Sequence, residues 1–169
     1  MKIGVVGTGY VGLVQGVILA QFGLNVICVD NNKEKIDKLN NGEVPIYEPE
    51  LEDYLIKNIK EKRIEFTTDI EYAVKNSEVL FIAVGTPPAD DGSADLKYVL
   101  EVANSIGEFM NNYKVIVDKS TVPVGTGKLV RETIEKKLKE RNSNLSFDIV
   151  SNPEFLREGR AVSDCLRPD

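Results

Sequence analysis

The alternation of short apolar runs with longer amphipathic segments constrains the fold of this chain more than any other feature of its sequence. Apolar runs of about four to eight residues are typical of buried strands, whereas apolar residues repeating every three or four positions are typical of one helix face. Strands that alternate with helices build β-α-β units on a parallel sheet. Six strands are predicted, at residues 2–6, 25–29, 63–67, 79–84, 115–117 and 147–150. We therefore predict an α/β, Rossmann-type fold: a doubly wound, mostly parallel six-stranded sheet with helices on both faces.

Helices are predicted between these strands, at residues 10–22, 33–39, 70–75, 96–106 and 124–140. A further helix is predicted in an insertion after residue 42, because Leu51, Leu55 and Ile59 are spaced for one helix face. The Gly, Pro and Asp residues from 85 to 95 predict a loop inside a domain rather than a linker. A length of 169 residues fits a single domain.

Three glycines separate the first strand from the first helix, in the run Gly7-Thr8-Gly9-Tyr10-Val11-Gly12. At this position Gly7 permits a tight turn, Gly9 lets the backbone approach a pyrophosphate, and Gly12 lets helix and strand pack closely. The N–H groups of Tyr10 and Val11 would then face the anion from the positive end of the helix dipole. The placement of the motif predicts a dinucleotide-binding turn.

Asp30 ends the second predicted strand, 18 residues after the last glycine of the motif. A carboxylate near that spacing accepts hydrogen bonds from a ribose diol. It would also repel a 2′-phosphate, and no arginine lies between Asp30 and Lys62, so NAD is favoured over NADP. Lys35 could close over the adenosine ribose, or it could share a solvated helix face with Lys33 and Lys38.

Three further polar segments follow predicted strands, at the edge where ligands bind in open α/β sheets. They are Gly85-Thr86-Pro87-Pro88, Ser120-Thr121-Val122-Pro123-Val124-Gly125-Thr126 and Asn152-Pro153-Glu154-Phe155-Leu156-Arg157-Glu158-Gly159. Taken alone, each of the first two is better explained by a turn with a helix cap than by a function. The third gathers two carboxylates, an amide, an arginine and an aromatic ring in one loop, which favours a functional role.

The composition excludes several classes of function. Asp and Glu number 27 against 21 Lys and Arg, and the net charge of −6 argues against nucleic acid or an anionic membrane surface as a partner. The sequence has no histidine, and its two cysteines have no metal-ligand neighbours, so no metal site is predicted. Glycines interrupt the apolar N-terminus, which fits neither a signal peptide nor a membrane span, and we expect a cytoplasmic protein.

Taken together, these segments resemble the N-terminal NAD-binding domain of the UDP-glucose 6-dehydrogenase family, within the wider UDP-glucose/GDP-mannose dehydrogenase family. The resemblance spans residues 1–169 and includes Pro45-Ile46-Tyr47-Glu48-Pro49 and the closing Leu166-Arg167-Pro168-Asp169. It implies an oxidation of UDP-glucose to UDP-glucuronate by two hydride transfers to NAD, through a thiohemiacetal and a thioester on a cysteine. Such a reaction would serve polysaccharide biosynthesis.

The resemblance also implies roles for individual residues. Contacts with NAD would come from the glycine turn and from Val11, Asp30, Lys35, Thr86, Thr121 and Glu158. Two residues would be catalytic: Thr121 would help to hold a water or the developing alkoxide near C6 of the sugar, and Glu154 would orient the catalytic water. The UDP-sugar would lie along the backbone of Glu154-Phe155-Leu156-Arg157-Glu158.

One departure from the family pattern concerns the nucleophile. The family's catalytic cysteine, with its paired lysine and asparagine, lies beyond residue 169, and Cys165 and Cys28 stand in no matching motif. We therefore expect a fragment that ends without a terminal helix, lacks the C-terminal catalytic and UDP-sugar-binding domains, and binds NAD without turnover. The full-length protein would form a homodimer through the missing segments.

Other substrates and one other function stay open. GDP-mannose or UDP-N-acetylmannosamine could replace UDP-glucose, because the missing domain supplies much of the sugar pocket, although segments 45–49 and 152–159 look more like the UDP-glucose branch. A regulatory NAD-sensing module would have no use for Thr121, Glu154 and Glu158 at the crevice. A short-chain dehydrogenase needs Tyr-x-x-x-Lys, which no tyrosine here provides.

Overall fold

The computed structural model describes residues 1–89 and 92–167. Asp90 and Asp91 of the predicted loop, and Pro168 and Asp169 of the closing motif, lie outside the described residues. Within the described ranges, no helix is long and apolar enough to cross a membrane.

Six parallel strands form one sheet, in the order β3-β2-β1-β4-β5-β6. The strands are β1 (Lys2–Val6), β2 (Asn25–Val29), β3 (Ile64–Thr67), β4 (Val79–Ile82), β5 (Lys114–Asp118) and β6 (Phe147–Ser151). The order reverses between β1 and β4, and this is the point at which ligands bind in doubly wound sheets. The predicted fold is confirmed.

Helices connect the strands and cover both faces of the sheet. They are α1 (Tyr10–Gln21), α2 (Lys33–Asn40), α3 (Leu51–Lys60), α4 (Ile70–Asn76), α5 (Lys97–Phe109), α6 (Thr126–Glu140) and α7 (Ala161–Leu166). The expectation that no helix follows β6 is wrong. α7 has six residues, too few for a helical period to show in the sequence, and it forms because Ala161 and Val162 are buried in the core.

Two apolar clusters hold the layers together, one on each face of the sheet. Side chains of α1, α3 and α7 pack with Ile3, Val5 and Cys28 on one face. Side chains of α4, α5 and α6 pack with Leu80 and Ile116 on the other. Burial on both faces is why the strands read as nearly continuous apolar runs.

The packing of α1 on the sheet is close enough to require a glycine in the helix. A Cβ added at Gly16 would lie 2.6 Å from Sγ of Cys28, which is fully buried in β2. Burial also raises the pKa of the Cys28 thiol, so this cysteine is a packing residue and no nucleophile.

Gly16→Ala should therefore destabilise the fold by about 1–3 kcal/mol through overpacking. Gly127→Ala in α6 is the matched control, because a Cβ there would meet Ile149 at an ordinary 3.8 Å. That control should be neutral or stabilising by up to about 1 kcal/mol, since alanine is the better helix former. Urea unfolding measures both, and a Gly16→Ala variant as stable as the control would contradict the packing described here.

Candidate functional site

A cleft of about 520 Å³ opens at the carboxyl ends of β1, β2 and β4. Its polar side contains Gly7, Gly9, Asp30 and Lys35, and its apolar side is formed by Val29, Ile70, Val84, Tyr98 and Val102. A larger depression of about 650 Å³ lies beside the amino end of β6, away from the edge where ligands bind in such sheets. The cleft at the switch point is therefore the candidate site.

The glycine turn is shaped by close contacts within the protein. Gly7 has φ of 102°, and a Cβ there would lie 2.4 Å from the carbonyl oxygen of Ala83 after β4. A Cβ on Gly12 would lie 1.9 Å from the carbonyl oxygen of Gly7. Both positions need glycine for the chain to fold, because α1 could not otherwise approach the turn.

Gly9 differs from its two neighbours in the motif. A Cβ at Gly9 would meet no described atom within 4 Å, so internal packing does not require glycine there. The residue is the N-cap of α1, and neither a side-chain cap nor an acidic residue compensates the first turn of that helix. Open space above an uncompensated helix N-terminus suits an anion, which agrees with the pyrophosphate site predicted from the sequence at the N–H groups of Tyr10 and Val11.

Asp30 follows β2 and is held by three neighbouring residues. Its Oδ2 accepts hydrogen bonds from the Thr8 backbone N–H at 3.0 Å, the Thr8 hydroxyl at 2.7 Å and Nζ of Lys35 at 2.9 Å. Its Oδ1 accepts one hydrogen bond, from the backbone N–H of Asn32 at 3.0 Å. Since a carboxylate oxygen has two lone pairs, Oδ1 can accept a further hydrogen bond from a ribose hydroxyl.

The same contacts set the charge of Asp30. Burial by itself raises the pKa of this carboxyl, but the hydrogen bonds from Lys35, Thr8 and Asn32 outweigh burial and lower the pKa below its ordinary value. The carboxylate is therefore ionised at neutral pH, which is the state that accepts from a ribose diol and repels a 2′-phosphate.

Lys35 does not share a solvated face with its neighbour Lys33. The Lys33 side chain is 77% exposed and pairs with Asp37 one turn along α2, whereas the Lys35 side chain is 28% exposed and pairs with Asp30. Of the two sequence-based interpretations, the structure favours the one in which Lys35 belongs to the cleft.

A hydrogen bond joins the next two predicted segments. The hydroxyl of Thr86 donates to the backbone carbonyl of Thr121 at 2.8 Å, and the hydroxyl of Ser120 donates to the carbonyl of Val84 at 2.8 Å. These bonds fix the loop after β4 against the loop after β5. Neither threonine lines the cleft, whose wall ends at Gly85; both lie beyond it on the same edge.

The predicted strip Glu154–Glu158 follows β6 and is held by one hydrogen bond within the strip and by an ion pair to α7. Oε2 of Glu154 accepts from the backbone N–H of Leu156 at 2.7 Å. The Arg157 guanidinium forms two 2.7 Å hydrogen bonds with Asp164 on α7, and the Phe155 side chain is 87% exposed. The strip thus presents its backbone and an aromatic ring, while its arginine is engaged by the helix that follows.

Glu48 and Lys119 are among the buried ionisable residues near this edge that were not predicted from the sequence. Glu48 is 7% exposed and lies in the insertion between α2 and α3. Lys119 is 8% exposed and donates to Oδ1 of Asn152 at 3.1 Å. Burial lowers the pKa of Lys119, and the charges of Cys165 and Glu154 partly offset this lowering. The position of Lys119 directly before Ser120 was a usable signal, whereas Glu48 was named only within the segment Pro45–Pro49 and without a role of its own.

No group of three or more Cys, Asp or Glu side chains in the described part of the chain is arranged to hold a metal ion.

Comparison with known proteins agrees with the geometry. Residues 1–169 match the family model described as the NAD binding domain of the UDP-glucose/GDP-mannose dehydrogenase family. The chain is 54% identical over 165 residues to UDP-glucose 6-dehydrogenase TuaD of Bacillus subtilis, an alignment that covers 98% of this chain and 35% of that protein. The chain thus spans about a third of this curated relative.

Two solved structures share the fold. A UDP-glucose dehydrogenase from Pyrobaculum islandicum superposes with a TM-score of 0.93 at 41% identity, covering 99% of this chain and 39% of that one. GDP-mannose dehydrogenase from Pseudomonas aeruginosa superposes with a TM-score of 0.90 at 39% identity, and the superposition covers 97% of this chain and 38% of that one.

Asp118, the last residue of β5, should make the stability of the fold depend on pH. Asp118 is buried, and its Oδ1 has no hydrogen-bond partner among the described residues. Burial raises the pKa of Asp118 from 3.8 to about 6. Because the folded state favours the protonated acid, the stability that this group contributes is present below its unfolded pKa and is lost as pH rises through about 6.

Asp118→Asn removes the titrating group. The variant should therefore gain stability relative to the wild type between about pH 4 and about pH 8. Urea unfolding at the two pH values gives the difference, and a difference that is constant with pH would show that Asp118 does not titrate in this range.

Proposed function

We propose a function from one premise: this chain belongs to the UDP-glucose/GDP-mannose dehydrogenase family, as its NAD-binding domain. We infer that it is the cofactor domain of an NAD-dependent UDP-glucose 6-dehydrogenase, which oxidises UDP-glucose to UDP-glucuronate. The observation that carries the proposal is the pairing of the open turn at Gly9 with the ionised Asp30 in one cleft. The activity named for the B. subtilis relative supports the choice of substrate.

The chain's own residues divide the work of holding NAD. The N–H groups of Tyr10 and Val11 would bind the pyrophosphate, and Oδ1 of Asp30 would accept from the adenosine ribose. The hydrogen bond from Lys35 helps to lower the pKa of Asp30 and holds the carboxylate in place. Ile70, Tyr98 and Val102 line the same cleft and offer an apolar wall to the adenine ring.

The nicotinamide end is proposed to lie farther along the edge, near Thr86, Thr121 and Glu158. NAD held there would supply the hydride acceptor for C6 of the sugar. The hydrogen bond from Thr86 holds the Thr121 backbone, which supports the proposal that the Thr121 hydroxyl holds a water or stabilises a developing alkoxide. Glu154 is proposed to orient the catalytic water with Oε1, the carboxylate oxygen that does not accept the hydrogen bond from the Leu156 N–H.

The nucleotide sugar is proposed to bind along the backbone of the strip Glu154–Glu158. The bidentate ion pair with Asp164 supports this backbone role, because it directs the Arg157 guanidinium toward α7. The exposed ring of Phe155 is then available as an apolar contact.

We also propose that the thiol nucleophile of the complete enzyme lies outside residues 1–169. Cys28 is enclosed in the core. Cys165 on α7 has its thiol pKa raised by burial, an effect only partly opposed by Lys119. A cytoplasmic location, a homodimer formed through further segments, and residues 1–169 as one NAD-binding domain stay predictions.

A GDP-mannose dehydrogenase is the second candidate, because a solved member of that class shares the fold at 39% identity. The described residues at the cleft serve NAD in either case. The choice of sugar depends on contacts to the strip and to parts of the protein beyond this domain.

Replacing Asp30 tests the cofactor site. Asp30→Ala should weaken NAD binding by about 1.5–3 kcal/mol, the range for a hydrogen bond to a charged group. Asp37→Ala is the matched control, because it removes an aspartate that pairs with a lysine of the same helix at the exposed surface. Fluorescence titration with NAD measures both, and equal affinities for the two variants would refute the assignment of Asp30.

The location of the nucleophile is tested by activity. Residues 1–169, supplied with NAD and UDP-glucose, should bind NAD but form no NADH, because neither described cysteine is placed as a nucleophile. NADH absorbance measures the reaction. Steady turnover would contradict the proposal that catalysis needs residues outside this chain.

A further inference from the structure

Glu48 connects three separate parts of the fold through one buried carboxylate. Its Oε2 accepts hydrogen bonds from the Tyr10 hydroxyl at 2.5 Å and from the Gly159 backbone N–H at 2.7 Å, and its Oε1 accepts from the Val162 N–H at 3.2 Å. These donors lie 38, 111 and 114 residues away in the sequence. They belong to the first turn of α1, the loop after β6 and the start of α7.

The Glu48 side chain is only 7% exposed, and burying its carboxylate without hydrogen-bond partners would reduce the free energy of unfolding. The three donors satisfy it, and the carboxylate in turn holds the N–H groups of Gly159, which directly follows the sugar strip, and of Val162 on α7. Glu48 therefore fixes the chain where the strip ends by contacts with residues distant in sequence.

Tyr10 gives this arrangement a link to the cofactor. It is the first residue of α1, so its backbone N–H is among the groups proposed to bind the pyrophosphate. Its side-chain hydroxyl donates to Oε2 of Glu48 and also lies 3.4 Å from the Arg157 carbonyl oxygen. Burial and the hydrogen bond to Glu48 raise the pKa of Tyr10 far above its ordinary value, so the hydroxyl stays a donor.

We propose that Glu48 is a positioning residue that couples the cofactor turn to the sugar strip, so that NAD bound at Tyr10 orders the backbone at Gly159 and Val162. An anion on the Tyr10 N–H restrains the start of α1 and with it the phenol ring. The restrained phenol steadies Glu48, and Glu48 steadies the two N–H groups. The inference rests on the proposed function, since it takes the turn as the NAD site and the strip as the sugar site.

Amide hydrogen exchange of the ¹⁵N-labelled chain tests the coupling, at NAD concentrations that saturate each variant. In the wild type, NAD should slow exchange of the Gly159 and Val162 amides by at least about 5-fold, the low end of measured couplings between sites. In Tyr10→Phe and Glu48→Gln the slowing should fall below about 2-fold. Tyr10→Phe removes the hydroxyl that donates to Glu48, and Glu48→Gln leaves one acceptor oxygen for three donors, while the backbone N–H groups of the turn remain.

A second tyrosine-glutamate pair provides matched controls. The Tyr72 hydroxyl donates to Glu65 at 2.8 Å on the exposed surface of α4 and β3. Tyr72→Phe and Glu65→Gln make the same chemical changes away from the cleft, and they should keep the slowing seen in the wild type.

The outcomes separate the inference from the function on which it rests. A wild-type chain that fails to bind NAD overturns both. A wild type that binds NAD without slowing, or a Tyr10→Phe variant that keeps the wild-type slowing, overturns the coupling and leaves the cofactor assignment standing. If Glu48→Gln does not fold, Tyr10→Phe decides alone, because it removes a single hydroxyl.

Discussion

The close approach of α1 to the turn after β1 is the constraint on which the site depends. The carbonyl oxygen of Gly7 lies where a Cβ of Gly12 would be, and the Gly7 position itself faces the Ala83 carbonyl. Only with glycine at both positions can the first turn of α1 reach the carboxyl edge of the sheet between β1 and β4. The positive end of the helix then faces the cleft, at the point where the strand order reverses.

The charge of the site follows from the same turn. Thr8, the residue between the first two glycines, donates both its N–H and its hydroxyl to Asp30. Parallel pairing of β1 with β2 brings these residues together, since both follow neighbouring strand ends. The turn therefore positions the N–H groups proposed to bind the pyrophosphate, and its hydrogen bonds from Thr8 help to lower the pKa of Asp30, the carboxylate proposed to bind the ribose. The proposed cofactor recognition and the local folding thus use the same contacts.

Much of this architecture could be predicted from the sequence, because strands buried on both faces leave a strong apolar pattern. The bounds predicted for β1 and β2 agree with the structure. Local backbone effects were harder to predict. The structure begins α6 at Thr126 rather than at the predicted Val124, because Gly125 has φ of 95°, which is not a helical conformation. Glu48 was missed for a different reason. Its partners are more than 100 residues away in two of three cases, and no periodicity reports such a contact.

The central claim is that a dinucleotide pyrophosphate binds at the start of α1. A crystal structure of this chain with NAD tests it most directly. The account predicts the pyrophosphate within hydrogen-bond distance of the N–H groups of Tyr10 and Val11, with a ribose hydroxyl on Oδ1 of Asp30. A dinucleotide bound at any other place, such as the depression beside the amino end of β6, would contradict it.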